Sequence, residues 1–256
     1  MRSSTSSASL PVKTNRSFSP VRRYAWIFTI LVGLGGQFVP SLGLLVPFIM
    51  AALVGTSLFK GKYWCGNICP HGSFFDNLLQ PISRQVKIPE FLRSRPVVGA
   101  VLLFFIYNMA SRFWSIYGTM GADPLYERLG FLFANTYLMV LLIGGLLAVV
   151  VNPRTWCVFC PMGTMQEMFY KFGRLLGINH KTDQRVSLVY PEKCRSCGKC
   201  SLVCPVQLEP HLNLSTTNQL EDERCIRCST CTRNCPAGLL HMVAADENAD
   251  QKAGCA

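Results

Sequence analysis

Between Cys194 and Pro236 one pattern occurs twice, CRSCGKCSLVCP and CIRCSTCTRNCP, each a C-x2-C-x2-C-x3-C-P run. Four thiols within so short a stretch force the backbone to wrap around something. That spacing places three thiolates on a cubane 4Fe-4S cluster and sends the fourth, beside its proline, to the neighbouring cluster. By this crossed rule one cluster takes Cys194, Cys197, Cys200 and Cys235, and the other takes Cys225, Cys228, Cys231 and Cys204. A pair of zinc sites is the competing reading, but zinc takes two separated Cys pairs, not four thiols in one run.

Half of the 256 residues are hydrophobic and only 15% are charged, too few charges for an ordinary soluble domain of this size. A membrane is expected to solvate part of the chain. Thirteen cysteines would suit a disulfide framework in a small secreted protein, yet cluster ligation needs free thiolates. The cluster domain is therefore expected in the cytoplasm. The net charge of +11 lies mostly beside hydrophobic tracts, not in one basic stripe, which points to membrane topology and away from nucleic acid.

Residues 1–23 are Ser-rich and basic, with Arg2, Lys13, Arg16, Arg22 and Arg23, and read as a disordered cytoplasmic tail in preference to a transit peptide. From Tyr24 to Phe59 the chain is almost uncharged; one helix of that length would reach about 54 Å, well beyond a hydrocarbon core of about 30 Å. Pro40, Ser41 and Gly43 supply a turn in its middle, predicting a hairpin of two short helices. The hairpin also keeps the basic tail and Lys60, Lys62, Arg84, Lys87, Arg93 and Arg95 on one side, as the positive-inside bias requires. Two further spans are expected at Pro96–Trp114 and Phe131–Val151, joined by an outer loop with Asp123 and Glu127 against Arg128. After the last span Arg154, Lys171 and Arg174 return the chain to the basic side.

The expected fold is an α-helical integral membrane protein of four transmembrane helices with a C-terminal α+β ferredoxin domain carrying two 4Fe-4S clusters. Its expected parts are the tail 1–23, a first hairpin and cysteine turn 24–95, a second 96–185, the ferredoxin-like domain 186–243 and a tail 244–256 holding the isolated Cys255.

The membrane part is a duplication. YWCGNICPHGSFFD and TWCVFCPMGTMQE align when one residue is dropped between the cysteines: Trp64 with Trp156, Cys65 with Cys157, Cys69 with Cys160, Pro70 with Pro161, Gly72 with Gly163, Asp76 with Glu167. Each half is then a helical hairpin, a cysteine turn and a short amphipathic helix, so the turns face each other across a pseudo-twofold. In the second such helix Met165, Met168, Phe169, Phe172 and Leu175 fall on one face, with Lys171 and Arg174 placed for anionic headgroups, and the helix is expected on the membrane surface. Cys65, Cys69, Cys157 and Cys160 are candidates for a third cluster, a soft metal ion or a redox-active thiol set, since thiolates favour iron–sulfur, zinc and cuprous sites. Buried inert thiols are the bland alternative.

Paired membrane WCxxxCPxG turns followed by a double ferredoxin motif resemble the NapH/MauN family of membrane ferredoxin-type proteins. Cys65, Cys69, Pro70, Gly72, Cys157, Cys160, Pro161, Gly163 and the eight ferredoxin cysteines carry the resemblance. It implies a quinol dehydrogenase component of the cytoplasmic membrane, with four helices and cytoplasmic clusters, passing electrons from the quinone pool to protein redox partners. The second turn departs from that pattern: Cys157-Val-Phe-Cys160 is C-x2-C where the family has C-x3-C. Similar turns occur in NosR, whose flavin domain has no room here, and in CcoG, linked to copper reduction. A copper-reducing assembly factor and a redox sensor are thus the alternative readings.

Neither C-x-x-C-H nor a phosphate-binding glycine loop occurs, which argues against attached haem and direct NADH oxidation. His71, His180, His211 and His241 lie outside the expected spans and read as solvated or interfacial. With a quinone as the implied membrane partner, Gln37, Asn108, Arg112 and Asn135 are the candidate polar contacts, all toward the outer ends of the spans. Arg112 also suits a snorkelling helix end.

Overall fold

A computed structural model describes residues 19–118, 124–179 and 182–245. Arg2, Lys13, Arg16, Asp123, His180, Cys255 and most of both expected tails lie outside the described residues.

The first helix, α1 (Pro20–Ile30), starts where Ser19 Oγ accepts the Arg22 N–H at 3.3 Å and Pro20 supplies a helical φ. It takes in Arg22 and Arg23, so the end of the segment expected as a disordered tail is helical from Pro20. A π turn (Leu31–Gly35) and α2 (Gly36–Phe38) follow, and the helix breaks at Val39 because the residue before Pro40 is pushed out of helical geometry. The 3-10 turn Pro40–Leu44 then runs into α3 (Leu45–Lys60). Two five-residue helices, α4 (Tyr63–Asn67) and α5 (Pro70–Phe74), carry the first cysteine turn. After an extended connection come the long α6 (Arg95–Gly118) and α7 (Leu125–Val150). The second cysteine turn lies between α8 (Thr155–Phe159) and α9 (Pro161–Leu175).

Three stretches are long and apolar enough to cross a membrane: Pro40–Lys60, Arg95–Gly118 and Leu125–Val150. At 1.5 Å per residue these reach about 32, 36 and 39 Å. A fourth was expected from Tyr24 onward, but that arm is divided by the π turn and stops at Phe38. The last two spans are also longer than the sequence suggested. α7 starts at Leu125, with Pro124 ahead of it and Glu127 in the first turn complementing the dipole, so Glu127 and Arg128 are helical and not in a loop.

Backbone contact ties the halves together. A Cβ on Gly43 would fall 1.9 Å from the Gly130 carbonyl oxygen, and one on Gly130 would fall 2.0 Å from that of Pro40. Only glycine at both places lets the hairpin turn meet α7 this closely, as in small-residue packing between membrane helices. No residue of α6 is buried, and Leu103, Phe104, Tyr107 and Trp114 point outward from it. An apolar helix so exposed needs lipid or a neighbouring helix as its solvent. In α9 the usual order is inverted: Gln166, Tyr170 and Gly173 are buried while Met168, Phe172 and Leu175 are exposed.

The C-terminal part is closed by β1 (Gln184–Leu188) pairing antiparallel with β2 (Leu240–Ala244), Gln184 opposite Ala244 and Leu188 opposite Leu240. Two short helices, α10 (Lys199–Leu202) and α11 (Thr230–Asn234), each carry the third cysteine of a motif. Val186, Leu188, Val203, Val206, Leu208, Leu220, Ile226 and Leu240 form its core. Cys65 of the first turn belongs to that same core.

Candidate iron–sulfur and thiol centres

Cys204, Cys225, Cys228 and Cys231 line one cavity, walled otherwise by Val186, Val206, Leu208, Leu220 and Ile226. The four cysteines brought together here are three of the second motif with the last of the first, the combination that the spacing rule leads one to expect. Burial and the neighbouring cysteines push the Cys225 thiol up to about 12, and burial pushes Cys204 up to about 11. Four sulfurs in an apolar hollow need a cationic group to become thiolates, and an iron–sulfur core fits that requirement. The Leu208 N–H reaches Cys204 Sγ at 3.3 Å, the kind of hydrogen bond that stabilises a thiolate ligand. Of the other set, Cys194, Cys200 and Cys235 pack on the same core, while Cys197 stands exposed.

The two cysteine turns ahead of the ferredoxin part are built alike. Cys65 and Cys157 are each the third residue of a five-residue helix, α4 and α8. Cys69 (φ −48°, ψ 119°) and Cys160 (φ −58°, ψ 126°) each cap the next helix, whose first residue is Pro70 or Pro161. The extra residue of the first turn is Ile68, which ends α4 with its N–H on the Trp64 carbonyl. The C-x2-C departure is thus absorbed at a helix end, and the capping cysteine keeps its place.

Cys65 interacts electrostatically with Cys69, Cys157 and Cys160, so the structure gathers all four turn cysteines from both halves. Burial pushes Cys65 well up, Cys69 up to about 12 and Cys160 up to about 11, each pushed further by neighbouring sulfurs. Donors point at three of them: Gln166 Nε2 to Cys65 Sγ at 3.1 Å, Arg154 Nη1 to Cys157 Sγ at 3.4 Å, and the Gly72 N–H to Cys69 Sγ at 3.5 Å. Among the described residues no three His, Cys, Asp or Glu side chains are drawn to the spacing of a single ion. Thiolates on one zinc-sized ion at about 2.3 Å would lie ~3.8 Å apart.

Around these thiols lie charges that the sequence reading assigned only to membrane topology. Arg154, with a fully buried side chain, donates to both Asp76 oxygens, Nε to Oδ1 at 3.1 Å and Nη2 to Oδ2 at 2.6 Å. Arg22 pairs with the same carboxylate, and Lys62 pairs with Glu167. The turn histidine is also less solvated than expected: His71 packs against Tyr137 of α7 with ring centroids 4.0 Å apart and planes tilted by 46°, and its Nε2 lies 3.3 Å from the Tyr137 carbonyl oxygen. His211 Nδ1 lies 3.4 Å from Cys200 Sγ, whereas His241 is exposed. These partners could have been sought in the repeat alignment, because Lys62 and Arg154 both stand two residues before the aligned tryptophans.

The first turn docks on the second ferredoxin motif. A Cβ on Gly66 would fall 1.9 Å from the Ile226 carbonyl oxygen, so the α4 backbone rests directly on the Cys225–Cys228 loop. Asn67 Nδ2 donates to the Arg227 carbonyl at 3.2 Å, and Arg227 donates to the Lys60 carbonyl, pairs with Asp183 at 2.7 Å and covers the Tyr170 ring.

Arg112 and Asn135 line a cavity of about 540 Å³ with Pro40, Ser115, Ile116, Glu127, Arg128, Phe131 and Leu132. Gln37 and Asn108 do not line it; Gln37 Nε2 turns back to the Gly33 carbonyl of its own helix at 3.3 Å, since a lone amide in an apolar helix satisfies itself there.

Residues 42–89 and 134–179 each match the family described as "4Fe-4S binding domain", and residues 193–240 match "4Fe-4S dicluster domain". The first pair of matches covers both cysteine turns. The protein described as "Uncharacterized protein MJ0750" of Methanocaldococcus jannaschii is 24% identical over 210 residues, 78% of this chain and 79% of that one. No solved structure matches the chain at a significant level. Two kinds of 4Fe-4S domain along one chain, with an eight-cysteine double motif in the second, make this an iron–sulfur electron-transfer protein of ferredoxin type.

Proposed function

We propose that the chain is a membrane-anchored electron carrier linking the quinone pool to a protein redox partner, a quinol dehydrogenase component of the NapH/MauN kind. The observation that carries this reading is the contact of the first cysteine turn with the second ferredoxin motif, where Cys65 enters the ferredoxin core and Gly66 lies on Ile226. In this reading the arm Pro20–Phe38 completes a four-helix anchor, and both termini and the ferredoxin part lie on the cytoplasmic side with the exposed Arg84, Lys87 and Arg95.

Cys194, Cys197, Cys200 and Cys235 would hold one cluster, Cys225, Cys228, Cys231 and Cys204 a second, and Cys65, Cys69, Cys157 and Cys160 a third shared by the two repeats. Bound there, such clusters supply one-electron chemistry whose potential follows charge, burial and hydrogen bonds to sulfur. The side chains of this chain set those conditions: Gln166 and Arg154 donate to the turn sulfurs, and Val186, Leu220 and Ile226 keep water from the ferredoxin thiols. Arg112 and Asn135 offer donors in a cavity whose walls are part apolar, through Pro40, Ile116, Phe131 and Leu132, and part polar, through Ser115, Glu127 and Arg128; in this reading it takes the quinone headgroup.

Anaerobic iron, sulfide and copper analysis of the purified chain tests the assignment. About twelve irons, with matching sulfide and no copper, is the expected content of three such clusters. About eight irons would leave the turn cysteines as thiols, and copper retained at them would move the function to metal handling.

A further inference from the structure

The two ferredoxin motifs present equivalent loops with opposite surroundings. In the second, Ile226 is buried, and its carbonyl and that of Arg227 are covered by Gly66 and Asn67 of the membrane turn. The corresponding residues of the first are Arg195 and Ser196, both exposed, beside Cys197, the one exposed cysteine among those described. Lys193, Arg195 and Lys199 surround it, with Glu192 the sole acid between Pro191 and Pro205. Lys193 lies over the Tyr190 ring at 4.2 Å, while Arg195 and Lys199 form no ion pair with any described residue. Leu202 and Leu212 are 62% and 63% exposed, and the turn carrying Leu212, which also holds the exposed Glu209, reaches the first motif through His211, whose Nδ1 meets Cys200 Sγ and Ser201 Oγ at 3.4 and 3.3 Å.

An apolar centre with a charged rim is the anatomy of a transient protein interface, and the sign of the rim selects the partner and speeds encounter. We propose that the Cys194–Lys199 loop, with Leu202 and Leu212, is the docking face for an acidic soluble electron-carrier protein. The inference rests on the electron-carrier reading and adds to it the exit surface and the partner's charge. One pseudo-equivalent loop faces the membrane turn; the other faces the partner.

The test uses the full chain in lipid nanodiscs and a flavodoxin, an acidic one-electron carrier, fluorescently labelled and oxidised, with binding read by anisotropy. Affinity is expected to fall steeply between about 50 and about 500 mM salt, as a surface charge contact should. The Arg195→Glu/Lys199→Glu variant should bind at least tenfold more weakly, with dithionite-reduced EPR spectra unchanged, while Arg84→Glu, another exposed basic site, should bind as the parent does. Equal binding by the double variant, or tighter binding of a basic cytochrome c by the parent chain, would overturn the proposal. An absence of 4Fe-4S signals in the reduced parent would instead remove the electron-carrier reading beneath it.

Discussion

Asp76 in the first repeat receives both Nε and Nη2 of Arg154 in the second, at 3.1 and 2.6 Å, and Glu167 in the second pairs with Lys62 in the first. Acid and base occupy aligned positions, so the ion pairs cross between the repeats in opposite senses. The first pair is fully buried, and the second is partly open, with Glu167 24% exposed. Asp76→Asn would leave Arg22 and Arg154 without their shared carboxylate and should cost about 3–5 kcal/mol. Lys62→Gln should cost less, about 1–3 kcal/mol, because Lys62 is buried but Glu167 keeps partial access to water. Thermal unfolding in detergent compares them, and equal losses would contradict the crossed clasp.

Crossed ligation separates two cysteine variants. Cys204→Ser should remove the cluster of Cys225, Cys228 and Cys231, and Cys235→Ser the other, each with loss of about four irons. EPR on the reduced variants shows which signal survives. The same surviving signal in both would exclude the crossing.

Gly130 has no room for a methyl group, because the Pro40 carbonyl lies 2.0 Å from where it would sit. Gly130→Ala should destabilise the chain by about 1–3 kcal/mol, as overpacking does. Gly99→Ala, in open space on α6, should be neutral or gain up to about 1 kcal/mol of helix propensity. Melting temperatures in detergent decide the order.

Arg227 holds the ferredoxin part against α3 through Lys60 and against Asp183. Arg227→Gln should keep both ferredoxin EPR signals and slow their reduction by quinol roughly tenfold, the effect of a loosened contact worth about 1.4 kcal/mol. Stopped-flow absorbance measures the rate. An unchanged rate would separate this contact from electron flow.

The parts of this molecule legible in sequence are those fixed by local chemistry. Two C-x2-C-x2-C-x3-C-P runs name their cofactor, and the proline after Cys69 and Cys160 starts a helix at both places. Pro40 likewise announces the break at Val39. What the sequence hides is tertiary. Arg22, Lys62 and Arg154 look like topology-setting charges until the fold buries them against Asp76 and Glu167. The extent of α7 is hidden for another reason: Glu127 and Arg128 look like loop residues by charge, although an acid suits a helix's first turn. Of the four polar residues singled out within the spans, only Arg112 and Asn135 meet, because helix rotation decides which side chains share a cavity.

The proposed function requires electrons to pass between quinone and the ferredoxin clusters by way of the cysteine turns. Freeze-quench EPR on the anaerobic, oxidised protein mixed with menaquinol, and on the reduced protein mixed with menaquinone, tests it most directly. In one of these directions the ferredoxin signals should change in the parent chain, and that response should be lost in Cys157→Ser although dithionite still reduces both ferredoxin clusters. Clusters that respond to dithionite but to neither quinone species, or a Cys157→Ser chain that exchanges electrons as fast as the parent, would contradict it.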